Sequence, residues 1–320
     1  DPIGERQHPA LHTDPKVSVI IPTRNRAHVL RRSIESVLAQ TVDSLELIVV
    51  DDASDDDTES VVKAINDPKV RYVRCDCHRG APAARNAGIR LARGQYLAFH
   101  DSDDEWLPNK LDRQLELIER RAPFADVVTC GTIQIRPDGR ERIAIAASET
   151  LSYDRLLAFG EPFWGGPTIL VRRTAATRRV FFDESLPAGQ DWDYVVRLAQ
   201  VASVVSVREP LVKVGRAAGD RVSTQLRKLE GRKLLRNKHE NELRRYPHAL
   251  AEHEIGIAKW SISCGEYTEG RRRLVNALRI RPFRPRVVAL FIGSFLSQSA
   301  ALRKLLRRRS KAITKGGIPR

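Results

Sequence analysis

Asp101, Asp103 and Asp104 follow the apolar run Tyr96-Leu97-Ala98-Phe99 so closely that the negative charge gathered there calls for a cation. Side chains two residues apart share a face of an extended strand, and a turn at the strand end converges them further. Carboxylate oxygens brought together in this way suit Mg2+ or Mn2+, hard ions that keep several waters and complete their shell with substrate phosphates. A solvated loop whose acidic residues cap the next helix is the other reading of the same run. Two more polar clusters also follow apolar stretches: Thr23-Arg24-Asn25-Arg26 and Asp51-Asp52-Ala53-Ser54.

Strands and helices alternate around these clusters. A buried strand is predicted over 17–22, further strands over 45–50, 70–74 and 95–99, and helices over 27–40, 57–66 and 81–92, where apolar residues recur at helical spacing. Such alternation predicts an α/β fold with a parallel sheet covered on both faces and right-handed crossovers. In open α/β sheets the ligand crevice lies beyond the carboxyl ends of the strands, so the three polar clusters are expected to meet around one ligand. Further on, a helix over 110–121, strands over 126–135 and 168–172, and a helix opening at Gly189-Gln190-Asp191-Trp192-Asp193 complete this half. Between them lies a segment rich in Gly and aromatics, 159–167. Beyond Ser223 the pattern is helical only. The expected organisation is a short tail (1–15), an α/β domain (16–222) and a smaller all-helical region (223–320), with the boundary near 215–223, where Gly215 and Gly219 interrupt the periodicity.

The net charge of +15 over 320 residues is unevenly spread. Residues 221–320 hold 25 Lys+Arg against 7 Asp+Glu, and 271–320 hold 15 basic side chains and no acidic one. That asymmetry fits an anionic surface as partner, or a basic tail. The apolar run 287–302 is roughly 24 Å long as a helix, short of the hydrocarbon core of about 30 Å, so it reads as an interfacial helix or one packed on the protein rather than a membrane span. Four cysteines in so long a chain make no disulfide framework, and Cys75-Asp76-Cys77 lacks zinc-ligand spacing. The first 15 residues lack the apolar core of an export signal, so a cytoplasmic chain, peripheral at most on the membrane, is expected.

Taken in order, Val19-Ile20-Ile21-Pro22-Thr23-Arg24-Asn25-Arg26, Val49-Val50-Asp51-Asp52-Ala53-Ser54, Gly80-Ala81-Pro82-Ala83-Ala84-Arg85-Asn86-Ala87-Gly88, Asp101-Ser102-Asp103-Asp104 and Gln190-Asp191-Trp192-Asp193 resemble the family 2 inverting glycosyltransferases of GT-A fold, over residues 17–200. The resemblance implies transfer of a sugar from a nucleotide-sugar donor, UDP-linked, to an acceptor hydroxyl of a glycan or lipid-linked saccharide. It implies Asp101 and Asp103 as ligands of Mn2+ or Mg2+, with Asp104 either assisting or capping a helix. It further implies Pro22, Thr23, Arg26, Asp52, Arg85, Asn86 and Asp101 around the donor, and Asp191 as general base. A carboxylate beside the attacking hydroxyl removes its proton in a single displacement. Asp191 is also placed to be a helix cap. Trp164 is a candidate to stack on an acceptor sugar or to fill core.

Two departures from the family pattern lie near the reaction centre. Gln190 stands where relatives carry Glu, and 213–223 contains no His; Arg216 or Arg221 neutralising a diphosphate, a flexible basic lid and a plain linker are open readings of that segment. A homologue that binds nucleotide-sugar without turnover is therefore one alternative. The Gly-rich first loop of sugar nucleotidyltransferases is replaced by Pro22-Thr23-Arg24-Asn25-Arg26, and no Gly-x-x-x-x-Gly-Lys-[Ser/Thr] loop is present. A nucleic-acid or membrane-binding protein driven by its basic end is the reading from another class. The last 50 residues carry only Phe283, Phe291 and Phe295 as aromatics, so no nucleic-acid partner is expected.

Overall fold

The computed structural model describes residues 14–135, 139–159, 165–214, 224–296 and 298–299. Trp164, the segment 215–223 with Arg216 and Arg221, and the basic run 303–309 lie outside the described residues. The chain forms two compact units: Asp1–Leu156, Glu161–Ser185 and Gln190–Arg221 make the first, and Leu157–Gly160, Leu186–Gly189 and Val222–Arg320 the second.

The first unit opens with β1 (Val17–Thr23), α1 (Ala27–Leu38), β2 (Leu45–Asp51), α2 (Thr58–Lys63), β3 (Val70–Arg74), α3 (Ala81–Leu91) and β4 (Tyr96–Phe99). It continues with β5 (Glu105–Trp106), α4 (Lys110–Glu116), β6 (Ala125–Ile135), β7 (Glu141–Ala144), β8 (Thr150–Leu151), α5 (Tyr153–Leu157), β9 (Leu170–Arg172), α6 (Gln190–Leu198) and β10 (Ser203–Val214). Every residue of β1 and β2 is buried, because both faces of the sheet are covered, and their Val, Ile and Leu runs show no alternation. On the helices the apolar side chains turn inward: Leu30, Ile34 and Val37 of α1 are buried at helical spacing.

Register decides where the polar clusters go. β1 lies between β2 and β4, parallel to both, pairing Thr23 with Asp51 and Ile20 with Phe99. The loops after all three strands therefore leave from one edge of the sheet, which runs β3-β2-β1-β4-β9-β6-β10-β5. The sheet is mixed rather than wholly parallel: β9 runs antiparallel to β4 and β6, and β5 antiparallel to β10. The sequence pattern also fails to disclose β10. Arg208-Glu209-Pro210 interrupts its apolar run, and the pairing with β6 shifts register between Val207 and Pro210 and again before Val212. The helix expected over 110–121 ends as α4 at Glu116 and closes in a π-helical turn, Leu117–Arg121.

The second unit holds α7 (Gln225–Lys238), α8 (Glu240–Arg245), α9 (Pro247–Ser263), α10 (Tyr267–Ile280) and a further helix, α11, over 285–296. Ile255, Ala258, Leu274, Ala277 and Val287 form its apolar centre. Buried Glu254 is held by Arg236 at 3.1 Å and Arg273 at 3.0 Å, so the carboxylate enters the unit already paired. His253 Nε2 lies 3.0 Å from the Leu157 carbonyl, and burial holds that imidazole neutral, which ties Leu157 to α9. No described helix is long and apolar enough to cross a membrane.

Candidate active site

The first loop is fastened to the second. Asp52 N–H donates to the Thr23 carbonyl at 2.9 Å, Asn25 N–H to Ser54 Oγ at 2.9 Å, and Asp55 N–H to Asn25 Oδ1 at 2.8 Å. Asn25 and Ala53 adopt positive φ, 52° and 58°, at the tight reversals this fastening requires. Asp51 is wholly buried and takes Ser54 N–H and Oγ on one oxygen, Tyr72 and Arg74 on the other. It is a buried acceptor that shapes the loop.

Asp52 is engaged as well. Its Oδ1 accepts the Arg79 amide at 2.8 Å, and its Oδ2 accepts the Gly80 amide at 2.7 Å and meets His78 Nδ1 at 2.6 Å. The carboxylate thus pins the entry to α3 and keeps one oxygen lightly loaded. Asn86 bonds the Phe182 backbone on both sides, accepting its N–H at 2.8 Å and donating to its carbonyl at 2.9 Å, with Glu184 as a third partner. Its amide joins α3 to the 180s segment. Thr23 is different: its Oγ1 is buried with no hydrogen-bond partner among the described residues.

The acidic loop faces the first. Arg26 Nη1 lies 3.8 Å from Asp103 Oδ2, Arg32 donates to the Asp103 carbonyl, and Ser33 Oγ donates to the Asp101 carbonyl. Asp104 N–H donates to the Asp101 carbonyl, closing the turn that brings Asp101 and Asp103 together. Their side chains keep 31% and 33% exposure, so each offers oxygen to an incoming ligand.

Arg85 joins this loop to α6. Its Nη2 donates to Asp101 Oδ1 at 2.7 Å, and its Nη1 lies 3.4 Å from Asp191 Oδ1. Burial works against the guanidinium charge, and the Asp191 and Asp101 carboxylates outweigh it and hold the group firmly protonated. Burial likewise drives the Asp101 carboxyl above the usual carboxylate range; Arg85 opposes that rise, and Asp191 and Asp103 add to it. Beneath Arg85 lie Phe99, Phe182 and Tyr194. Phe182 stacks on Tyr194 at 4.2 Å and meets Phe99 edge-on at 5.1 Å, with the Arg85 guanidinium 5.3 Å from the Phe182 ring centroid.

Gly165 and Gly166 close the other side. Gly165 adopts φ of +92°, and a Cβ there would stand 3.3 Å from Asp191 Oδ2; one on Gly166 would stand 3.6 Å from Arg85 and from Asp191. The backbone approaches the two charges because nothing projects from it. Trp106 holds this loop from behind, its indole N–H donating to the Pro167 carbonyl at 3.0 Å. Composition of 159–167 pointed to this loop, but Trp106 and the Arg85 bridge carried no sequence signal.

The residues brought together are therefore Thr23, Arg26, Arg85, Asp101, Asp103 and Asp191, with Pro22 on β1 immediately behind Thr23. Among the described residues no group of three or more His, Cys, Asp or Glu is placed to hold a metal. Two partly exposed carboxylates on one loop nonetheless fit a hard divalent ion that takes its remaining ligands from water and phosphate.

This sheet order and acidic loop agree with a family match over the same residues: the description Glycosyl transferase family 2 fits 18–179. The chain belongs to glycosyl transferase family 2. Among family 2 relatives it is 35% identical over 195 residues to the succinoglycan biosynthesis protein ExoO of Rhizobium meliloti (strain 1021), covering 58% of this chain and 56% of that protein. It is 36% identical over 108 residues to the UDP-Glc:alpha-D-GlcNAc-diphosphoundecaprenol beta-1,3-glucosyltransferase WfaP of Escherichia coli, covering 34% of this chain and 43% of that protein. The matches thus span about half the length of these relatives. Among solved structures, S. aureus TarS 1-349 in complex with UDP-GlcNAc superimposes with a TM-score of 0.65 at 19% identity, covering 93% of this chain and 92% of that one. The family 2 chain has the GT-A fold, followed by a helical region.

Proposed function

We propose that this chain moves a sugar from a UDP-linked donor to an acceptor hydroxyl, with inversion at the anomeric carbon, in the assembly of a bacterial surface polysaccharide. The observation that carries the reading is the shared guanidinium: Arg85 stands between Asp101 of the acidic loop and Asp191 of α6, with glycine backbone against Arg85 and Asp191. Donor leaving group and acceptor base are wanted on opposite sides of one reacting carbon. Asp191 takes the proton of the attacking hydroxyl on its carboxylate. Arg85 holds that carboxylate in position until the hydroxyl arrives. Thr23 Oγ1 and Arg26 face the donor, and Asp52 keeps the loop that covers the nucleoside in place. Asp101 and Asp103 would hold Mn2+ or Mg2+, which when bound supplies positive charge to the departing diphosphate.

The relatives' functions, in succinoglycan biosynthesis and in glucosyl transfer to a diphosphoundecaprenol-linked sugar, favour a polysaccharide or lipid-linked acceptor. Such an acceptor fits peripheral contact with an anionic membrane through the basic C-terminal segment. A screen of nucleotide-sugars for release of free nucleotide, with Mn2+, with Mg2+ and with chelator, tests the reading, followed by acceptor trials and NMR of the product anomer. Release from a UDP-sugar that chelator abolishes is expected. Release from none of the donors sinks the proposed activity, and a product of retained configuration sinks the single displacement.

A further inference from the structure

The second unit carries a hollow of about 330 Å³ that the transfer reaction does not use, walled by Phe159, Arg232, Lys259 and Trp260 among others. That is room for a ligand of small-molecule size. Arg232 is its unusual member. Its guanidinium lies 3.5 Å over the Phe159 ring, and no acceptor or carboxylate meets its N–H groups among the described residues. Burial alone pulls it down to about 10, because no neighbouring negative charge offsets the desolvation. A planar fork held flat on an aromatic ring, with its donors unspent, is preorganised for a carboxylate or phosphate.

Lys259 adds a second exposed cation to the same wall, and the one carboxylate there, Glu252, is already paired with Arg284 at 2.6 Å. Trp260 is half-buried, with the Lys228 ammonium 5.3 Å from its ring centroid. An indole face beside a free guanidinium suits a ring that is apolar on one side and carries an acidic group at its edge. A second hollow of about 520 Å³ shares Glu252, Ile255 and Lys259 with the first and adds Arg286 and Phe283, the latter 96% exposed. Through those shared residues the two make one track with cations and rings along it.

We propose that this track on the helical unit binds an anionic saccharide, with a sugar ring against Trp260 and its carboxylate or phosphate on Arg232 and Lys259. The proposal rests on the glycosyltransferase reading, and makes the second unit a holding site for an acidic glycan chain while the first unit works on its end.

Calorimetric titration of the full chain tests it, using trigalacturonate and phosphorylated maltotriose as anionic probes, maltotriose as the neutral one, and phosphatidylcholine vesicles with and without phosphatidylglycerol. Saturable binding of at least one anionic saccharide is expected, with maltotriose inert. Arg232→Gln and Trp260→Ala should each weaken it about tenfold, and the exposed Lys259→Gln should weaken it too while leaving the melting temperature unchanged. Equal affinity of wild type and variants, equal binding of neutral and anionic saccharides, or binding of neither anionic probe overturns the proposal. A loss confined to anionic vesicles also overturns it and assigns the track to lipid. Donor hydrolysis is measured on the same preparations: release of nucleotide without saccharide binding removes this site and leaves the transferase reading, and binding without release does the reverse.

Discussion

Arg85 carries two carboxylates on one guanidinium, and that sharing makes both sensitive to it. Replacing it with Lys keeps the charge and loses the fork, so one carboxylate is left without its partner. Turnover in Arg85→Lys is expected to fall by roughly tenfold or more with nucleotide affinity changing less; kinetics that leave kcat unchanged would remove the bridge from the mechanism. Asp191→Asn should lower kcat by on the order of 10²–10⁴ while the protein still binds donor, and turnover near wild type would take Asp191 out of the role of base. Away from the site, Lys110 is fully buried, with Gln114 Oε1 at 2.8 Å and the Trp106 ring at 3.7 Å as company. Burial pulls its ammonium down to about 8 from the ordinary 10.5. The unfolded chain then binds the extra proton between those values, so stability gained from Lys110 rises with pH across that window. Urea midpoints of wild type minus Lys110→Met should climb from about pH 8 upward; a flat difference refutes the depressed lysine. That Asp101 and Asp103 stand together at the end of β4 was readable because both follow its apolar run directly in the chain. Asp52 and Asn86 carried no hint that their atoms would be engaged by Arg79, Gly80 and Phe182, since those partners are set by tertiary packing.

Among the elements, the edge strand β3 was legible from its Val and Tyr content, and β1, β2, β4 and the first three helices because a doubly covered sheet demands unbroken apolar runs and helices between them demand a 3.6-residue period. β10 was not, because Arg208-Glu209-Pro210 breaks its apolar run in the middle, where the pairing with β6 shifts register. β9 was anticipated as a strand but not as antiparallel, a direction that three residues cannot announce. The packing of α3 on β1 turns on one residue: a Cβ on Gly88 would sit 2.5 Å from Ile20 Cγ2. Gly88→Val is expected to destabilise by about 1–3 kcal/mol through overpacking, seen as a lower urea midpoint at unchanged slope. An unchanged midpoint would mean that α3 can move off the sheet freely. Because α3 begins where Asp52 holds Arg79 and Gly80 and carries Arg85 on its second turn, activity should fall with it.

On the scale of the whole molecule, charge and chain order part company. The basic excess lies in 221–320, yet the second unit also takes in 157–160 and 186–189 from the middle of the α/β sequence. Those two loops were invisible as members of the helical unit because each is only four residues long, with no periodicity to betray its neighbours. The basic run suggests a measurement: the full chain should sediment with phosphatidylglycerol vesicles at low salt and be released as salt rises, and Gln at Arg303, Lys304, Arg307, Arg308 and Arg309 should abolish it. Equal sedimentation of both proteins would sink the membrane contact. Trp106, meanwhile, ties the first unit together: its amide donates to Ser36 Oγ, its indole N–H to the Pro167 carbonyl, its strand pairs with β10, and Lys110 lies on its face. A buried indole with a charged group on its ring and its N–H spent on the loop beside Asp191 is a chromophore wired to the site, so its emission colour and quantum yield will register the Gly165–Gly166 backbone moving against a bound nucleotide.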